Sequence, residues 1–262
     1  MRISATALVL SLPLLLAATA CDCGGEVGTD HGDGGAGRDG GPLPDGATPP
    51  RDGGEVPPQC GDLTAVIRDF RGDHPDMEAY LGSLRGIVED RIGAGDKPVY
   101  AHPGGTAVTT GPAEFDQWYR DVDGLNLRFE IPLPLTEGPP GVFVFEDNDF
   151  FPLDGMGFPG EERLGHNFHF TTEIHATFTY RGGEVFSFRG DDDVFLFING
   201  QLALDLGGVH GAETGSVDFD AMAPALGIEV GGTYPLDIFH AERHTSESNF
   251  RVETSIDCFI II

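Results

Sequence analysis

The stretch Phe188 to Leu206, FRGDDDVFLFINGQLALDL, constrains the fold of this chain more than any other. An apolar run, Val194 to Ile198, meets Asn199-Gly200 and then a second run, Leu202 to Leu206. Asn-Gly between two such runs predicts a two-residue β-hairpin, because a type I′ turn puts both central residues at φ > 0. Three consecutive aspartates, Asp191, Asp192 and Asp193, stand just before the first strand. Adjacent carboxylates repel, so a packed domain must hold them in water or around a cation. A hard ion such as Ca²⁺, which takes carboxylate and carbonyl oxygens, answers that repulsion. A solvated acidic turn answers it equally well in a chain of net charge −28.

Around this hairpin the pattern is mostly β. Leu63 to Phe70 reads as a first strand, and Leu125, Leu127, Phe129, Ile131 and Leu133 alternate as a half-buried one. Phe168, Phe170, Thr172, Ile174, Ala176, Phe178 and Tyr180 alternate over a longer run, with His169, Glu173 and His175 on the other face. Further strands are expected near Val185–Phe188, Ile228–Val230, Tyr234–His240 and Phe250–Ile262. Two helical segments are expected: a short turn over residues 74–81, and a helix over 111–122. In the second, Pro112 suits the first turn and Phe115, Trp118, Tyr119 and Val122 recur at helical spacing. With 39 Gly and 19 Pro supplying turns, short strands of this kind make a β-sandwich or a barrel.

Residues 1–20 carry Arg2, an apolar run from Ala7 to Leu16 and small residues before Cys21, which reads as a secretory signal. Residues 21–59 are rich in Gly, Asp and Pro and nearly free of apolar side chains, so they are expected to form a disordered tether. As a coil it would reach about 5–6 Å × √n, a few tens of Å. Residues 60–262 form the folded domain. A signal peptide implies an oxidising compartment, and Cys60 and Cys258 sit at the two ends of that domain, with Cys258 in its last strand; they are expected to pair. Cys23 is left without an assigned partner. Acids outnumber bases, 43 Asp plus Glu against 15 Lys plus Arg, a surface that repels phosphate backbones and argues against nucleic acid.

Ala18-Thr19-Ala20-Cys21 resembles a bacterial lipobox, with Ala18 where Leu is usual. The resemblance implies that Cys21 carries a lipid and holds the protein on a membrane, at the cell surface or facing the periplasm. A second resemblance covers roughly residues 60–258. GDDDVFLFINGQLALDLGGVHGA, FFPLDGMGF, GHNFHFTTEIHATFTY and YPLDIFHAERHTSESNFRVETSID are similar to the core of the fibro-slime domain. That extracellular module is related to the protective-antigen-type carbohydrate-binding β-sandwich, and the likeness selects the antiparallel sandwich over the barrel. In related adhesins of the yeast flocculin type, two adjacent aspartates joined by a cis peptide hold a Ca²⁺ that also contacts a sugar hydroxyl. Carried over, Asp191 and Asp192 become ligands, with Asp193 starting the strand. Glu242 takes the place of a second-loop side-chain ligand, where those adhesins have Asn, and the backbone carbonyls of His244 and Ser246 complete the shell.

Rival chemistry is thinner. His166 with His169 and His240 with His244 suggest zinc, but residues four apart on a strand lie about 13 Å apart. A glycoside hydrolase would use Asp191 and Glu242 as acid and base, yet acids this concentrated suit a cation better. The reading is therefore a non-enzymatic, lipid-anchored surface protein presenting a Ca²⁺-dependent carbohydrate-binding or adhesion module of an extracellular matrix. A structural matrix component with a structural Ca²⁺ and no specific glycan is the alternative.

Overall fold

The computed structural model describes residues 60–261. The signal segment, the tether, Cys21 and Cys23 lie outside the described residues. The first half of the domain contains β1 (Leu63–Phe70), β2 (Gly82–Ser83), α1 (Pro112–Phe115), β3 (Asn126–Leu133), β4 (Thr136–Glu137) and β5 (Phe143–Asp147). Then follow β6 (Phe170–Thr179), β7 (Val185–Gly190), β8 (Asp193–Ile198), β9 (Gln201–Leu206), β10 (Gly208–Val209) and β11 (Glu213–Asp218). The chain closes with α2 (Phe219–Leu226), β12 (Thr233–Glu242), β13 (Phe250–Thr254) and β14 (Ile260–Ile261).

These strands make an antiparallel sandwich. The larger sheet runs β3-β1-β6-β12-β8-β9, with β14 on β6 beyond the end of β1, and the second runs β11-β7-β13-β5-β4. Phe170, Ile174 and Phe178 of β6 and Val194, Leu196 and Ile198 of β8 fill the space between the sheets, against Phe186, Phe188, Phe250 and Val252. The other parity of β8, Phe195 and Phe197, packs outward with Phe239 and Ala241 against Ile87, Tyr100, Phe115, Trp118 and Tyr119. β8 is thus buried on both faces, which is why its run is apolar at every position. The hairpin turn is as expected, with Asn199 at φ 51 and Gly200 at φ 70.

Where the structure departs from the sequence pattern, local hydrogen bonds give the reason. The helix expected over 111–122 is regular only from Pro112 to Phe115. Beyond it, the Asn126 amide donates to the Arg120 carbonyl at 2.8 Å and accepts from the Val122 N–H at 3.1 Å, taking groups that a further helical turn would use. Residues 74–81 form turns rather than a helix. No strand forms over 228–230; instead α2 precedes it, capped by Asp218 accepting from the Ala221 N–H and closed by Gly227 at φ 65. The strand expected over 250–262 breaks into β13 on one sheet and β14 on the other. Cys258 lies in the link between them, not in a strand, and is disulfide-bonded to Cys60 as expected.

Candidate functional site

Three consecutive aspartates reach three different environments because the chain turns sharply at the entrance to β8. Gly190 admits a close approach of β13: a Cβ there would lie 2.5 Å from the Asn249 carbonyl oxygen. Asp192 takes the left-handed region at φ 53. The Asp191–Asp192 peptide is trans, since no cis bond occurs among the described residues, and in this the chain differs from the adhesin pattern. Asp191, Asp192 and Asp193 are 2%, 3% and 0% exposed, which excludes the solvated acidic turn.

Asp193 starts β8 as expected and is neutralised at once. Its Oδ2 accepts from Arg243 Nε at 2.6 Å, both side chains being fully buried. Arg243 also donates to the carbonyls of Asp76 and Val108 and lies 4.7 Å over the Trp118 ring. Asp192 has no such cation to itself. Its Oδ2 accepts from the Arg243 backbone N–H at 2.7 Å and its Oδ1 from the His210 N–H at 3.1 Å. Asp191 Oδ2 accepts from Asn249 Nδ2 at 2.7 Å, while its buried Oδ1 has no partner. Glu242, at the end of β12, is fully buried; its Oε1 has one long contact, 3.5 Å from the His244 N–H, and its Oε2 has none.

Burial sets the electrostatics. It pushes Asp192 up to about 7, partly offset by Arg243 and reinforced by Asp193. Burial, with Asp192 adding repulsion, also holds Glu242 well above the usual carboxylate range. Asp191 is raised by burial against the opposing hydrogen bonds from Asn249. Four buried carboxyls therefore share one buried guanidinium, and two of their oxygens are unsatisfied. A divalent cation bound by oxygens fits this donor set on both counts. The surface above is a cleft of about 150 Å³ lined by Asp191, Asp192, His210, His244, Thr245 and Ser246. Five residues expected in one shell are thus neighbours: Asp191, Asp192, His244 and Ser246 line the cleft, and Glu242 lies buried beside Asp192. Among the described residues no three His, Cys, Asp or Glu side chains are placed to hold a metal ion between them.

The histidine pairs serve other ends. His240 sits in the sandwich core between Phe150, Phe170, Phe188 and Phe250, where burial lowers it to about 3. His166 bonds Asp154 at 2.6 Å and His169 bonds Glu78 at 3.0 Å, so neither pair shares an ion. Glu78 is a residue the pattern does not announce. At φ 57, it accepts from the Thr245 N–H at 3.0 Å and its own N–H donates to the Arg243 carbonyl at 2.8 Å, pinning the loop after β12. Arg243 and Asn249 are likewise unmarked; the only hint is a basic residue directly after a buried strand end.

A second group of buried charges lies on the outer face of the large sheet. Glu173 of β6 accepts from Arg68 at 2.6 Å, from Lys97, the chain's only lysine, and from His175. His175 bonds Asp237 of β12 at 2.6 Å. Burial alone would raise Glu173, yet His175, Lys97 and Arg68 hold it down to about 2. Burial would likewise lower His175, and Asp237 and Glu173 lift it to about 9. These residues floor an open cavity of about 860 Å³.

Residues 161–258 match the family model of the PA14 domain, in accord with the expected protective-antigen relationship. Among curated relatives, protein psiD of Dictyostelium discoideum is 38% identical over 210 residues, covering 75% of this chain and 40% of that protein. Protein psiQ of the same organism is 37% identical over 212 residues, covering 74% and 21%. The chain thus spans less than half the length of these relatives. Among solved structures, the PA14 sugar-binding domain from an RTX adhesin is similar with a TM-score of 0.34 and 12% identity, over 78% of this chain and 96% of that one. The PA14 domain of the MpAFP antifreeze protein gives 0.33 and 11%, over 76% and 86%.

Proposed function

We propose that this chain is a lipid-anchored surface protein whose folded domain is a Ca²⁺-dependent carbohydrate-binding or adhesion module of an extracellular matrix. The observation that carries the reading is the pair of orphaned, buried carboxyl oxygens, Asp191 Oδ1 and Glu242 Oε2, beside a solvent-open cleft. Asp191, Asp192, Glu242 and the carbonyls of His244 and Ser246 would hold the ion, and the PA14 match spans all five residues. When bound, Ca²⁺ supplies positive charge and oxygen coordination at the cleft floor. The chain's own groups do the rest: Arg243 and Asn249 orient the acidic loop, and Glu78 fixes the second loop. The anchor rests on Ala18-Thr19-Ala20-Cys21, and incorporation of labelled fatty acid at Cys21, lost in Cys21→Ser, tests it.

Glu242 is fully buried, so it offers no face to a glycosidic oxygen, and the hydrolase reading has little to stand on. A structural matrix role with a structural ion draws support from the smallness of the cleft, since ligand pockets run about 300–1,000 Å³. A glycan array probed with Ca²⁺ and with chelator separates the two. Binding that chelator abolishes supports the carbohydrate module; binding to no glycan in either condition overturns it in favour of the structural role.

A further inference from the structure

The acidic cleft, about 150 Å³, has room for only about five waters at ~30 Å³ each. A second cleft of about 400 Å³ lies across the loop that follows β12, and Ser246 and Glu247 line both. Its floor is a fixed aromatic platform. Phe151 stacks on His166 with ring centres 4.0 Å apart and planes 18° apart, and meets Phe168 edge-on at 4.8 Å. Asp154 holds the His166 ring at 2.6 Å. Polar groups ring this platform: Arg189 donates to Asn148 Oδ1 at 3.1 Å and to Asn249 Oδ1 at 3.4 Å. Asn249 in turn donates to Asp191 Oδ2 at 2.7 Å, so one amide bridges the two clefts. The tripeptide Arg189-Gly190-Asp191 spells an integrin-binding motif, yet here its arginine serves one cleft and its aspartate the other.

A flat aromatic face covers the C–H face of a pyranose ring, while amides and a guanidinium match neighbouring hydroxyls. Asp149 and Glu247 on the same walls disfavour phosphate or uronate. Resting on the carbohydrate reading above, we infer that the ligand is a neutral oligosaccharide that crosses the loop after β12. One unit sits at the acidic cleft and a further unit on Phe151 and Arg189. A single sugar fills only the smaller cleft, and most of the selectivity for chain length comes from the larger one.

Calorimetric titration of the full secreted chain in Ca²⁺ tests this. The probes are the methyl glycosides of glucose, galactose, mannose and N-acetylglucosamine, and the matching di- to tetrasaccharides. For the sugar that binds, affinity should rise by about tenfold or more with added units, the change that ~1.4 kcal/mol produces. Phe151→Ala and Arg189→Gln should each erase most of that gain; Arg189→Gln, at a half-exposed polar position, keeps the test decisive if the aromatic variant unfolds. Equal affinity at all lengths, or a gain preserved in folded Arg189→Gln, overturns the second unit's seat and leaves single-sugar binding in place. Failure of every length to bind in Ca²⁺ overturns both.

Discussion

β6 and β12 carry two buried charge clusters, one at the sheet end beside Asp192 and Glu242, the other on the outer face around Glu173 and Asp237. Around Glu173 the chain supplies every partner itself: Arg68, Lys97 and a His175 lifted to about 9 meet three carboxylates, Glu173, Asp237 and Asp121. Around Glu242 it does not: of Asp191, Asp192, Asp193 and Glu242, Asp193 alone has a side-chain ion pair, with Arg243. A buried ion pair that closes on itself is part of the scaffold. A buried set of acids left short of cations raises their proton affinity and leaves oxygens unpaired, and that shortfall points outside the chain.

The largest way to sharpen this contrast is to break the balanced cluster. Glu173→Ala leaves Lys97 without its carboxylate and takes one of two from Arg68 and His175, which keep Asp121 and Asp237, and should cost about 3 kcal/mol in urea unfolding, equally with Ca²⁺ and with chelator. A loss that depends on calcium would merge the two clusters into one system. The next effect is the calcium gain itself. A hundredfold excess over Kd should stabilise the wild-type domain by about 2.7 kcal/mol, and Mg²⁺ by less. Asp192→Asn and Glu242→Gln should each blunt that gain and be no less stable than wild type in chelator. Calorimetry finding no Ca²⁺ binding to wild type would erase the proposed difference.

A smaller effect separates the clusters by pH. In chelator, Asp192 is raised to about 7 against an ordinary ~3.9, so the fold favours its protonated form. That stabilisation is complete below about pH 4 and is lost as pH rises through about 7. Glu173, held at about 2, runs the other way: its contribution is present above about pH 4.3 and is lost as pH falls toward 2. His175 contributes below about 6.5 and loses that as pH rises through about 9. From pH 5 to 7 the chelated wild type should therefore lose melting temperature that Asp192→Asn keeps, and saturating Ca²⁺ should flatten the difference. The smallest effect is expected at Asp205, which accepts from the Gly86 and Gly207 N–H groups outside the cleft. Asp205→Asn should cost about 1 kcal/mol and leave the calcium response unchanged; a blunted response would widen the site beyond its present walls.

Much of the frame was legible because its signals are local. Asn199-Gly200 needs only two residues to specify its turn, and the alternation along β6 is long enough to be unambiguous. α2 was not legible: eight residues with Pro224 inside give too short a period, and its end is closed from afar by Asn199 Nδ2 donating to the Leu226 carbonyl. The helix after Gly111 was over-read because Phe115, Trp118 and Tyr119 do share a buried face, though only Phe115 lies in α1 and the other two lie on the turns after it. At the site, the acids were visible as a run and as the end of a strand. Their partners Arg243, Asn249 and Glu78 were not, since each reaches across chain separations that no sequence window spans.

The disulfide has a mechanical meaning. Glu242 pairs with Phe170 at one end of β6, while β14, two residues after Cys258, pairs with Thr177 near the other end. Seven residues of strand, about 23 Å, separate the two levels. A pull applied between a ligand held in the cleft and the Cys60–Cys258 link therefore runs lengthwise along the strands. Loaded that way, the ladder bonds between β1, β6 and β12 share the tension in shear, instead of parting one at a time as in an unzipped hairpin. The link divides the load between the first strand and the last, so neither end can be peeled from the sandwich alone.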